Sequence, residues 1–119
     1  IGTVESQQID IKEKDPLMGH LPGMFSAQSS HSEVVLEIPP GAQRLATSPL
    51  DDNFAIRFSS NAWGIQFHPE FSASVTSDYI RYRAGALREE GLNPEQLLAG
   101  VTDTIEAKTV LKRFTELLR

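Results

Sequence analysis

Trp63-Gly64-Ile65-Gln66-Phe67-His68-Pro69-Glu70-Phe71 joins two kinds of chemistry in nine residues. Its first half is apolar and aromatic, the composition that fits a pleated, half-buried surface. Its second half puts an imidazole two residues before a carboxylate. On extended backbone, residues two apart face the same way. Pro69 has a fixed φ and no N–H, so the pattern predicts a strand that ends here with His68 and Glu70 presented together. An imidazole that donates from one nitrogen to a carboxylate keeps its other nitrogen free to take a proton. Hydrolytic triads on unrelated folds build a base and its orienter in this way. The pattern therefore asks for a nucleophile.

The chain does not offer one: its 119 residues include no cysteine. That excludes disulfides, a Cys-ligated metal and a Cys nucleophile from this polypeptide. His20, His31 and His68 show no i, i+4 spacing, so no metal site and no cofactor are expected. The sequence begins at Ile1, inside a strand-like pattern, with no charged n-region or apolar h-region. It reads as the carboxyl-terminal piece of a longer protein. The net charge of −5 and the scatter of 11 Lys and Arg disfavour nucleic acid as a partner. No apolar stretch approaches the ~20 residues that cross a bilayer, and the lack of cysteine fits a reducing interior. A soluble, cytoplasmic protein is expected. At 39% hydrophobic, the chain has the core of one domain or part of one.

Gly2 to Ile11 mixes β-branched and polar residues as a first strand, and Asp15-Pro16 to Leu21-Pro22-Gly23 has loop chemistry. Phe25 to Ser30, Glu33 to Ile38 and Leu45 to Ser48 read as further strands, with Pro39-Pro40-Gly41 closing the second of them. Asp51-Asp52-Asn53 reads as a turn. Phe54 to Phe58 and Trp63 to His68, separated by Ser59-Ser60-Asn61, read as an antiparallel hairpin. After Phe71 the period lengthens. Val75, Tyr79, Tyr82 and Ala86 predict the core face of one helix over 74–90, stopped by Gly91. Asn93-Pro94 starts a short helix that ends near Gly100. Thr102 or Asp103 caps a third, with Ala107, Val110, Leu111, Phe114, Leu117 and Leu118 as its apolar stripe. From pattern alone this is α/β or α+β.

Several of these segments, taken in order, resemble a known family. They are Ser30-His31-Ser32, Ile38-Pro39-Pro40-Gly41-Ala42 with Leu45-Ala46 and Ser48, Ala55-Ile56-Arg57, and Trp63 to Phe71. Together with the Asp15-Pro16-Leu17 to Leu21-Pro22 loop they resemble the carboxyl-terminal half of class I, triad-type, glutamine amidotransferases. The similarity runs from about Ile1 to Phe71 and is greatest to stand-alone proteins related to the guanosine monophosphate synthetase glutaminase domain; the tail matches only as helices. The resemblance implies a three-layer, flavodoxin-like α/β fold whose antiparallel hairpin and covering helices lie in this part. One domain portion spans 1–119, with sheet and motif over 1–71 and a helical tail over 72–119.

The resemblance also implies roles. His68 would be the catalytic base and Glu70 its partner in a Cys-His-Glu triad. Ser30 and His31 would lie on a strand-loop whose backbone helps hold the substrate, glutamine, although a histidine among serines also reads as an ordinary hydrogen-bonded loop residue. The Cys would come from a missing amino-terminal half, and the ammonia released with glutamate could pass to a synthetase partner. The chain alone would then be inactive, and it would need that half, another protein chain or a second copy of itself to complete its sheet. Two other functions fit the same scaffold: a non-catalytic glutamine-binding or regulatory module, and a γ-glutamyl hydrolase-like enzyme. His20, in a turn, reads as solvated.

Overall fold

The computed structural model describes residues 2–8, 15–30, 35–49 and 51–118. Five strands form one sheet: β1 (Gly2–Gln8), β2 (Met24–Ser29), β3 (Gln43–Ser48), β4 (Asp51–Ser59) and β5 (Ala62–Ile65). Their order is β2-β1-β3-β4-β5, and every pairing is antiparallel. Then come α1 (Ala73–Tyr82), α2 (Ala84–Glu89), α3 (Pro94–Ala99) and α4 (Ile105–Leu117). The expected hairpin and covering helices are both present.

β4 is the central strand by burial, since Phe54, Ala55 and Ile56 are each almost fully enclosed on alternating faces. Such a run has no solvent side and needs no alternation. Only Ser60 and Asn61 separate β4 from β5, with Ser59 opposite Ala62 and a bulge between Arg57 and Ser59. Gly64 is required in β5: a Cβ there would stand 2.9 Å from the ring of Phe58, which lies across its bare backbone.

Two strand expectations change. Asp51-Asp52-Asn53 begins β4 instead of turning, because its polar groups find partners within the sheet. The Asp51 carboxylate accepts from the Asn53 amide at 2.9 Å, Asn53 Oδ1 accepts from Arg44 Nε at 2.8 Å, and Asn53 Nδ2 donates to the Val35 carbonyl at 2.6 Å. Residues 35–38 form no strand, while Glu33, Val34 and the 9–11 end of the first predicted strand lie outside the described residues.

The long helix predicted over 74–90 is divided at Arg83, and its core face is rotated. Thr76, Ile80 and Leu87 are the buried residues, whereas Val75, Tyr79 and Tyr82 are exposed. On a continuous helix the seam through 76, 80 and 87 would also pass through position 83, carrying the guanidinium inward. The break at Arg83 leaves that side chain in solvent. Gly91 stops α2 as expected: at φ +84 it allows Leu92 N–H to reach the Leu87 carbonyl at 2.9 Å and its own N–H to reach Arg88. Asn93 caps α3, accepting from Gln96 N–H at 3.2 Å. α4 starts after Thr104, not after Thr102 or Asp103, because Thr102 is held by β1 and β2. Ala107 and Val110 of its stripe are buried and Leu117 packs at the core's edge, but Leu111, Phe114 and Leu118 are exposed.

The core gathers Phe25 and Ala27, Leu45 and Ala46, Phe54 and Ala55, the α4 pair Ala107 and Val110, and Leu17, Met18 and Leu21 from the turn before β2. Phe67 enters the same cluster after β5 has ended. Its neighbour Gln66 still donates to the Phe54 carbonyl at 2.9 Å, while Phe67 itself forms an isolated antiparallel bridge with Ser29. The segment thus leaves β4 and crosses to β2, with the Phe67 ring 5.3 Å from Phe54 and 5.8 Å from Phe25. This crossing fixes where the next residue, His68, emerges.

Candidate active site

The His68 amide makes the last ladder bond of this segment, donating to the Gln28 carbonyl at 2.8 Å. Pro69 follows with no amide and is buried. The Phe71 N–H then returns to the His68 carbonyl at 3.1 Å, closing a four-residue turn with proline in its favoured second position. Glu70 Oε1 lies 2.5 Å from His68 Nδ1. The pair predicted from spacing is brought together, but by a turn: β5 stops at Ile65, so the two side chains do not share the face of a strand. Proline ends the ladder as expected and redirects the chain.

The turn also folds the Phe71 ring onto the imidazole. The two rings stack with centroids 4.3 Å apart and planes 12° from parallel, and Tyr79 of α1 stands 6.4 Å behind Phe71. The His68 and Glu70 side chains are 36% and 51% exposed, at the surface and not in a closed cavity. Nε2 has no partner among the described residues. A carboxylate only accepts, so Nδ1 carries the hydrogen, and in a neutral ring Nε2 is then the proton acceptor. The arrangement is chemically a general base presented outward.

Ser30 is half-buried just past the end of β2, where Ser29 bridges Phe67, so it lies at the same corner of the sheet as His68. His31 lies outside the described residues. Gln28, which no sequence pattern singles out, is fully buried. Its Oε1 accepts from Thr3 Oγ1 at 2.8 Å and its Nε2 donates to the Thr102 carbonyl at 2.7 Å. It therefore ties the backbone under His68 to β1 and to the entry of α4. In the sequence Phe71 reads only as the end of the motif; proline one residue after the histidine is the signal that the fourth residue turns back.

A second polar cluster lies apart from this site. Asp15 accepts from Leu17 N and Met18 N at 2.9 Å each and from Trp63 Nε1 at 3.1 Å, with Arg57 stacked 5.1 Å over the indole. Beside it a groove of about 670 Å³, lined in part by His20, Thr109, Lys112 and Arg113, includes neither His68 nor Glu70. His20 is not simply solvated, since its Nε2 lies 2.6 Å from Thr109 Oγ1. Among the described residues no group of His, Asp and Glu is placed to hold a metal ion, and no helix is long and apolar enough to cross a membrane.

The family model for glutamine amidotransferase class I matches residues 3–84. A glutamine-hydrolyzing GMP synthase polypeptide of Haloarcula marismortui, one chain of a multi-subunit enzyme, is 38% identical over 71 residues, 59% of this chain and 38% of that protein. GMP synthase [glutamine-hydrolyzing] of Staphylococcus aureus is 41% identical over 59 residues, 49% of this chain and 12% of that protein. The chain thus spans well under half the length of these curated relatives. The crystal structure of a glutamine amidotransferase from Thermotoga maritima superposes with a TM-score of 0.73 at 21% identity, over 99% of this chain and 50% of that one. The expected fold class is therefore observed.

Proposed function

This chain belongs to the class I glutamine amidotransferase family, and from that membership we propose that it is the carboxyl-terminal portion of one amidotransferase domain, supplying the base and the orienting acid for glutamine amide hydrolysis. The observation that carries this is the His68 imidazole, bound at Nδ1 by Glu70 at 2.5 Å with Nε2 unpartnered among the described residues. The nucleophile is a cysteine from an amino-terminal half, because this sequence has none. By itself the chain is expected to be inactive.

In the proposed reaction Nε2 takes the thiol proton, and the thiolate attacks the side-chain carbonyl of glutamine. A thiol with an ordinary pKa near ~8.5 is mostly protonated at neutral pH, so an adjacent base raises its reactive fraction. The imidazolium returns the proton to the departing nitrogen as the C–N bond breaks, releasing ammonia and leaving a thioester. Water then attacks, giving glutamate and the thiol. Glu70 keeps the imidazole in the required tautomer and stabilises its charged form. Ser30 and His31 contribute to the glutamine site mainly through backbone atoms. The names of the relatives support a GMP synthase-like setting, in which a synthetase domain or separate synthetase chain consumes the ammonia.

The test is glutamate release by this chain joined to its cysteine-bearing half. His68→Ala is expected to lower turnover by about a thousandfold or more, the scale of losing one member of a triad. Wild-type turnover in that variant would remove His68 from the mechanism.

A further inference from the structure

An imidazole that must deliver a proton at a fixed point has to be held in two ways. Its hydrogen bond sets the direction of Nδ1, but the ring can still swing about that bond. Glu70 alone is a weak hold, since at 51% exposure water competes for both groups. The second restraint is visible in the ring stack: Phe71 lies flat against His68, 4.3 Å away and within 12° of parallel. We propose that Phe71 is a positioning residue that sets the plane of the His68 ring and so aims Nε2 at the thiol. This rests on His68 being the base.

Three observations favour that role over ordinary packing. Phe71 is outside the buried core cluster, and its ring contacts are His68 and Tyr79. Its place is set by the His68-Pro69-Glu70-Phe71 turn, so the residue that orients Nδ1 and the residue that sets the plane arrive by one backbone reversal. Behind it, Tyr79 belongs to α1, whose start is fixed by Ser72 accepting from Val75 N–H at 3.1 Å. An aromatic ring on a capped helix backs an aromatic ring on a proline turn. Offset aromatic stacking of this kind is directional, which aliphatic packing is not.

The consequence is a defect in the chemical step and not in glutamine binding. In the complete amidotransferase, Phe71→Leu is expected to lower kcat by about ten- to a hundredfold, the scale on which a small misplacement of a catalytic group acts, with KM for glutamine unchanged. Phe71→Tyr and Phe71→Trp keep a flat face and are expected to restore most of kcat. Tyr79→Leu, at an exposed position, should give a smaller loss of the same kind. In NMR spectra the ring protons of His68, shielded by the stack, should move downfield in Phe71→Leu. An unchanged kcat in both Phe71→Leu and Tyr79→Leu, with His68→Ala inactive, would overturn the proposal. So would a loss confined to KM, or Tyr and Trp variants as impaired as Leu. An active His68→Ala would instead overturn the assignment of the base itself.

Discussion

Two carboxylates in this molecule each meet a ring nitrogen, and they are used in opposite ways. Asp15 has a side chain only 2% exposed, accepts from two backbone amides and the Trp63 indole, and faces Arg57 at 3.6 Å. Glu70 is 51% exposed and has one partner, the Nδ1 of His68. The indole has a single N–H and nothing left after donating it, so the Asp15 cluster is complete and pins the turn carrying Leu17, Met18 and Leu21 onto the β4–β5 hairpin. The imidazole has a second nitrogen. A saturated carboxylate serves structure, while one that satisfies half of a two-ended ring leaves the other end available for chemistry.

The contrast can be broken at either carboxylate. The largest effect is expected on the open side, where His68→Ala lowers glutamate release by about a thousandfold, or ~4 kcal/mol of barrier, without changing the melting temperature. Asp15→Ala should do the reverse. It leaves the Leu17 and Met18 amides and the Arg57 charge without their buried partner, costing about 3 kcal/mol of stability. That lowers the thermal midpoint by roughly 10–20 °C, with turnover intact at temperatures where the fold survives. If Asp15→Ala instead abolished activity in a folded protein, the division between the two clusters would be wrong.

Glu70→Gln sharpens the comparison. Its amide oxygen can still accept from Nδ1 but cannot neutralise an imidazolium, and water already reaches the pair. A loss of about ten- to a hundredfold in kcat, ~1.4–2.7 kcal/mol, is expected, smaller than that of His68→Ala. The least effect belongs to Glu95, an exposed acid at the start of α3. The backbone hydrogen bond there, and then Arg88 at 2.7 Å, hold its carboxyl below the ordinary value of 4.5. A depressed carboxyl adds stability above its unfolded pKa and loses it as pH falls through the folded one. Glu95→Gln should therefore slightly flatten the acid side of a thermal-stability profile and leave neutral pH almost unchanged.

Much of this is legible in the sequence, in proportion to how local its causes are. The hairpin, the Asn93 cap and the Gly91 stop depend on a few adjacent residues, and each appears where the residues place it. The His68–Glu70 contact is legible as a pair but not as geometry, because a two-residue spacing fits an extended strand and a proline turn equally well. Helix 74–90 offers two competing apolar faces, and nothing local tells the Ile80 face from the Tyr79 face. Ile80 faces inward because the sheet lies on that side, and Arg83 then breaks the helix. Asp51 to Asn53 has the composition of a turn, and only Arg44 and Val35, residues distant in sequence, supply the partners that make it strand. The Phe71 stack is hidden for the same reason as the turn that creates it.

The central claim is that His68 exists to deprotonate a cysteine delivered by another part of the protein. It is tested most directly by the rate at which that cysteine is alkylated as a function of pH, in the complete amidotransferase with and without His68. A thiolate already reactive near neutrality, reverting in His68→Ala to the behaviour of an ordinary thiol near ~8.5, is the predicted result. Identical profiles in the two proteins would contradict it.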